Sequence, residues 1–178
     1  PENTQIKGKI QSVSKEIAEV VADLVKEINK LRDAGKTAEA LDKVRTAVYQ
    51  YPTSAELAAL TKMLSEAMEK EERKAQLDGS FRLANESIEA GKFAEALDLL
   101  RYIQDSEPSY PGVKQKIAAA ETGLASIESR KRVATGFNRG LEQFNAALYE
   151  NALKEWQAIL PEDPKNEMLR KYIAEAEK

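Results

Sequence analysis

The chain has 178 residues, of which 32% are charged, 42% apolar and 6% aromatic, and a net charge of −3. It contains no cysteine and no histidine, which removes disulfides, thiol and imidazole chemistry, and nearly every zinc or haem arrangement. The mild acidity gives no reason to expect a nucleic-acid partner, which asks for a strong basic footprint, and no apolar run approaches the roughly 20 residues of a membrane span.

From the N-terminus, Ile6, Ile10, Val13, Ile17, Val20 and Leu24 step by 4, 3, 4, 3 and 4. That is a 3.5-residue apolar period, the seam of a coiled coil or helix bundle. No Gly or Pro occurs between Lys9 and Ala34, so one helix is predicted over 4–34, roughly 46 Å long at ~1.5 Å per residue. Gly35 is its natural C-terminal cap because glycine tolerates a left-handed backbone. A second helix is predicted from Thr37 to Gln50, burying Ala40, Leu41, Val44 and Val48 on one face. Pro52 stops it.

Thr53-Ser54-Ala55-Glu56 reads as a capping box with Thr53 as the cap. The helix it opens carries the stripe Leu57, Leu60, Leu64, Ala67 and Met68, then runs into the mixed charges of 69–74, a solvated face. Gly79, beside Asp78 and Ser80, leaves two outcomes open there: a kink, or a break with a new helix capped by Asp78 or Ser80. Thr135-Gly136 poses the same question further on. Phe93, Ala96, Leu97, Leu100 and Ile103 form the stripe before Pro108, and Val113, Ile117, Ala120, Leu124 and Ile127 form the one after it. Tyr149, Ala152, Leu153, Trp156 and Ile159 follow, with Trp156 read as core. A last helix is expected over 164–177, with Asp163 as cap and Pro164 at its first position.

Across this succession one stretch recurs. Ala34-Gly35-Lys36-Thr37-Ala38-Glu39-Ala40-Leu41-Asp42 returns as 90–98 with a single difference, Phe93 for Thr37, and returns more loosely from Ala146 to Leu153. Ala40, Ala96 and Ala152 lie 56 residues apart, as do Pro52, Pro108 and Pro164. A fixed period of this kind is the mark of a repeat array. Within each unit a residue at 28, 84 or 140 (Ile, Ala, Gly) precedes Gly35, Gly91 or Ala147 by seven. Thr37, Phe93 or Tyr149 stands two further on, then an Ala after three, then a Pro after twelve.

This pattern resembles the tetratricopeptide repeat, with Ile28 and Thr37 departing from the usual small and aromatic types. The resemblance implies an all-α fold of tandem helix-turn-helix units over about 21–54, 77–110 and 133–166, with an N-terminal extension over 4–20 and a capping helix over 164–177. Each unit matches over about 34 residues and carries a 22-residue spacer. The expected array is elongated, with long spacer helices that stagger the hairpins in place of a continuous stack.

The resemblance implies a protein-binding scaffold or adaptor without enzymatic activity, cofactor or metal. Its partner-binding face would carry Asn29, Arg32, Asn85, Ile88, Leu141 and Phe144. Asn29 and Asn85 fall where peptide-binding members of the family place a groove asparagine. Members that clamp a C-terminal carboxylate have a Lys four residues earlier, where this chain has Val25 and Phe81, so that mode of binding is not implied.

The alternative function is a structural rod that assembles copies of itself. Ile6, Ile10, Val13 and Ile17 precede the first hairpin and need a cover, which is either a second copy of the chain, giving a homodimer, or an earlier repeat. Arg130-Lys131-Arg132 is too short for nucleic acid and reads as a solvated helix face. Pro1 in place of Met suggests an excised or processed chain, and no signal peptide is visible. A chain without Cys suits a cytoplasmic or an extracytoplasmic setting equally.

Overall fold

A computed structural model describes residues 2–178. They form seven helices and no strand, with about 84% of the chain helical. The order is α1 (Glu2–Asp33), α2 (Thr37–Gln50), α3 (Ala55–Glu89), α4 (Phe93–Ser106), α5 (Val113–Asn145), α6 (Tyr149–Ile159) and α7 (Glu167–Ala176). The chain divides into two compact units, one ending at Asp78 and the other beginning at Gly79.

In the first unit the C-terminal half of α1, all of α2 and the start of α3 share one core. Val21, Val25 and Ile28 meet Ala40, Leu41, Val44 and Ala47, and Leu57, Leu60 and Leu64 close the third side. The spacings are those of single helical faces, so each helix gives the core one stripe and keeps its charges outside. In the second unit α4 packs on α5, α5 on α6 and α6 on α7. Ala152, Trp156, Ile159 and Leu169 are buried together there, with Val133, Phe137, Leu141, Phe144, Tyr172 and Ile173 packed around them.

Three helices end in turns of one geometry. Gly35, Gly91 and Ala147 have φ of 74°, 73° and 60°. Their amides donate to Arg32, Ile88 and Phe144 carbonyls at 2.9, 3.0 and 3.0 Å. The next amides, of Lys36, Lys92 and Leu148, reach back to Leu31, Ser87 and Gln143 at 2.9, 2.8 and 2.9 Å. This pair of bonds is the Schellman motif, which satisfies orphan carbonyls at a helix C-terminus through one left-handed residue. Two of the three positions hold the residue best suited to it, and the third holds Ala147.

The prolines act as turn formers rather than helix starters. The amides of Ser54, Tyr110 and Asn166 donate to Tyr51, Glu107 and Asp163 carbonyls at 3.1, 2.9 and 3.2 Å. Pro52, Pro108 and Pro164 therefore each occupy the second place of a four-residue turn, where a fixed φ is favourable. This corrects the start of the last helix. Asp163 closes the turn, and the cap is Asn166, whose side-chain oxygen accepts the Leu169 amide at 3.0 Å. It corrects the capping box as well: the Leu57 amide donates to the Ser54 hydroxyl at 3.3 Å, and α3 begins at Ala55, so the cap is Ser54 and not Thr53.

Both glycine-containing stretches stay helical. α3 runs unbroken through Asp78-Gly79-Ser80 and α5 through Thr135-Gly136. At Gly136 the reason is packing, since an added Cβ would lie 2.6 Å from Cγ2 of Ile159 on α6. Nothing lies within 4 Å of a Cβ built on Gly79.

Candidate interaction surfaces

The expected partner-binding positions fall on α1, α3 and α5, just ahead of the three Schellman turns. Asn29 and Asn85 are partly buried, and the side-chain oxygen of each is covered without accepting a hydrogen bond. The Asn85 amide nitrogen is occupied, donating to the Phe81 carbonyl at 2.8 Å. A buried acceptor left unpaired costs about 1–3 kcal/mol, so the same vacancy at two positions 56 residues apart asks for a reason. Arg32 is exposed and pairs with Asp33 at 2.8 Å. Ile88 is partly buried.

The third member of the series differs in kind. Leu141 and Phe144 pack into the aromatic cluster of the second unit. Phe144 meets Tyr149, Trp156 and Tyr172 with ring centroids 5.2, 5.7 and 5.9 Å apart. Trp156 is fully buried, as expected of a core residue, and its indole donates to the Phe137 carbonyl at 3.1 Å.

Side-chain size explains how this cluster is accommodated. At 28, 84 and 140 the residues shrink from Ile to Ala to Gly, while at 44, 100 and 156 they grow from Val to Leu to Trp. All six are buried. In the third case the contact is direct, because a Cβ on Gly140 would lie 2.1 Å from Nε1 of Trp156. Gly123 is shaped in the same way by Phe93, with a Cβ clearance of 2.4 Å. Where Thr37 replaces the aromatic, its hydroxyl donates to the Glu71 carboxylate at 2.9 Å.

The second surface is the start of α1. Ile6, Ile10, Val13, Ile17 and Val20 are 56, 59, 53, 44 and 46% exposed. Every residue from Asn3 to Val20 is exposed, and Val21 is the first to be buried. The 3.5-residue stripe is therefore helical as expected, and none of the described residues covers it. Contiguous apolar stripes are seldom left bare on monomeric proteins.

Outside these surfaces a minority of the charges are paired along or between helices. Lys43 donates to Glu27, and that bond holds the Glu27 carboxyl below its ordinary range. Glu162 accepts from Arg132 Nε and Nη2 at 3.0 Å each and from Ser129 at 2.6 Å. The Arg132 hydrogen bond is the larger cause, and the Ser129 bond the second, of a Glu162 carboxyl held below its ordinary value. One charge of the basic triplet 130–132 is thus spent on a contact 30 residues away, which no local pattern foretells. Among the described residues no group of three acidic side chains converges as a metal site, and no helix is long and apolar enough to cross a membrane.

Comparison with protein-family models, with curated proteins and with solved structures gives no match to this chain.

Proposed function

We propose that the chain is a protein-binding adaptor, built from three hairpins of tetratricopeptide type and carrying no turnover of its own. The three Schellman turns and three proline turns at 56-residue intervals support the repeat reading. The observation that carries the functional one is the pair of unpartnered side-chain oxygens on Asn29 and Asn85. Both side chains retain partial exposure, so rotation about χ turns the oxygen outward, where the backbone amide of an extended partner segment supplies the missing donor. Binding then recovers a hydrogen bond that the free protein forgoes, and the first two hairpins each offer one such acceptor.

The test is affinity capture from the native host with the wild type and with Asn29→Ala/Asn85→Ala, followed by identification of the bound proteins. The expected result is a discrete set of proteins retained by the wild type and lost by a variant whose circular dichroism is unchanged. Equal capture by both proteins contradicts the reading, and so does capture no different from that of an unrelated helical protein.

A further inference from the structure

The exposed stripe on α1 has two occupants open to it from sequence, an earlier hairpin or a second copy of the chain, and the register of the helices separates them. The start of α3 turns Leu57, Leu60, Leu64 and Met68 into the core it shares with α1 and α2, the hairpin before it. The start of α5 does so through Val113, Ala120 and Gly123, the last directly against Phe93 of α4. In α1 the positions 56 residues before Leu60, Leu64, Ala67 and Met68 hold Thr4, Gly8, Gln11 and Ser12. None of these offers an apolar side chain to an earlier hairpin.

The stripe itself aligns elsewhere. Ile6, Ile10, Val13 and Ile17 correspond to Lys62, Glu66, Glu69 and Arg73 of α3, all exposed, and to Ala118, Thr122, Ala125 and Ser129 of α5. Ile6 is two residues from Thr4, and Ile10 two from Gly8. Two residues along a helix turn it by roughly 200°, so the stripe lies opposite the face that a preceding hairpin of this kind would cover. Adding such a hairpin would leave the stripe bare.

We propose that residues 6–17 of α1 pair with the same segment of a second copy of this chain as an antiparallel two-helix seam. The 4, 3, 4 spacing places Ile10 and Ile17 at a positions and Ile6 and Val13 at d positions of a heptad. In the antiparallel register Ile6 faces Ile17 of the second copy and Ile10 faces its Val13, with the reciprocal contacts completing four apolar layers. Lys9 and Glu16 both flank the seam as g residues. The same register sets Lys9 of each copy against Glu16 of the other, two opposite-charge pairs related by the dyad.

A parallel pair lacks this complementarity. It would set Lys9 beside Ser14 and Glu16 beside Val21, and Val21 is already buried in its own unit. It would also bring two hairpins to the same end of the seam, whereas the antiparallel pair holds them at opposite ends. The seam is only about 18 Å long and smaller than the roughly 800 Å² per partner of a standard interface, so association in the micromolar range is expected. This inference is independent of the asparagine face.

The test is sedimentation equilibrium on the full chain from low to high micromolar concentration. The mass should move from one copy to two, and Ile10→Glu/Ile17→Glu should remain at one. Lys9→Glu and Glu16→Lys, both on exposed positions that leave the fold alone, should each weaken association several-fold. Mixing these two single variants in equal amounts should restore it, because each then carries the charge its neighbour lacks. A wild type that stays monomeric, an Ile10→Glu/Ile17→Glu variant that assembles like the wild type, or a mixture no tighter than its components would overturn the proposal.

Discussion

The indole of Trp156 occupies the space that a side chain at position 140 would need: a methyl added to Gly140 would lie 2.1 Å from Nε1 and 2.5 Å from Cδ1. The ring is fully buried and bonded to the Phe137 carbonyl, so it cannot swing aside without loss. Gly140→Ala should therefore destabilise by about 1–3 kcal/mol, the range for overpacking a close-packed core. At the equivalent positions Ala84 and Leu100, both buried, a larger residue at the first goes with a smaller one at the second. Gly140→Ala/Trp156→Leu should cost less than the sum of the two single changes in a urea-denaturation cycle. Strict additivity would mean that the two positions do not share one space.

Ala96 offers a companion test. It is fully buried and sits at the recurring small position where α4 approaches its neighbours closely. Ala96→Leu should lower the denaturation midpoint by an amount equivalent to about 1–3 kcal/mol, and an unchanged midpoint would count against that close approach.

Ala147 does at φ 60° what Gly35 and Gly91 do at 74° and 73°. For a residue with a Cβ the left-handed region costs roughly 1–2 kcal/mol, part of which glycine returns as greater freedom in the unfolded chain. Ala147→Gly should thus stabilise by up to about 1 kcal/mol, and Gly91→Ala should destabilise by a similar amount. Thermal melts of the two variants should shift in opposite directions; a shift in the same direction would contradict the Schellman assignment.

Gly79 is the converse case, a glycine in a helix interior with no close neighbour to justify it. Gly79→Ala should stabilise by roughly 0.5–1 kcal/mol through backbone entropy alone. A loss of stability would show that the helix bends there in solution.

Much of the fold was legible because local chemistry and tertiary demand agree. Gly35 and Pro52 bracket α2 so tightly that its bounds, Thr37 to Gln50, follow from those two residues and the stripe between them. The last helix was misplaced because Asp163 and Asn166 are equally good caps, and only the turn around Pro164 decides which one is used. Gly136 left its helix ambiguous because its reason is Ile159, a residue of another helix. The orphaned oxygens of Asn29 and Asn85 could not be read at all from residue type, since an unpaired acceptor is a statement about burial. The α1 stripe was visible from its period, but its exposure along the whole start of the helix is a statement about burial and was not.

Acid should weaken the second unit through Glu162. Its folded carboxyl titrates below the ordinary value of 4.5, chiefly because of the Arg132 hydrogen bond. A carboxyl depressed in the folded state contributes stability above its unfolded pKa and loses it as the pH falls through the folded one. The melting temperature of the wild type should exceed that of Glu162→Gln at pH 7, and the gap should narrow as the pH falls below 4.5 and close once it has passed the lowered folded value. High salt should narrow it at any pH, because the pair is solvent-exposed. A gap that persists unchanged into acid would contradict the role given to this carboxylate.

Site-specific photocrosslinking in host extract tests the adaptor reading most directly. A photoreactive residue placed at Asn85, on the proposed binding face, is compared with one at Asp98, an exposed position on α4. The reading predicts a discrete crosslinked protein from position 85 that is absent from position 98 and is competed away by excess unlabelled wild type. Identical crosslinks from both positions, or none that wild type competes, would contradict it.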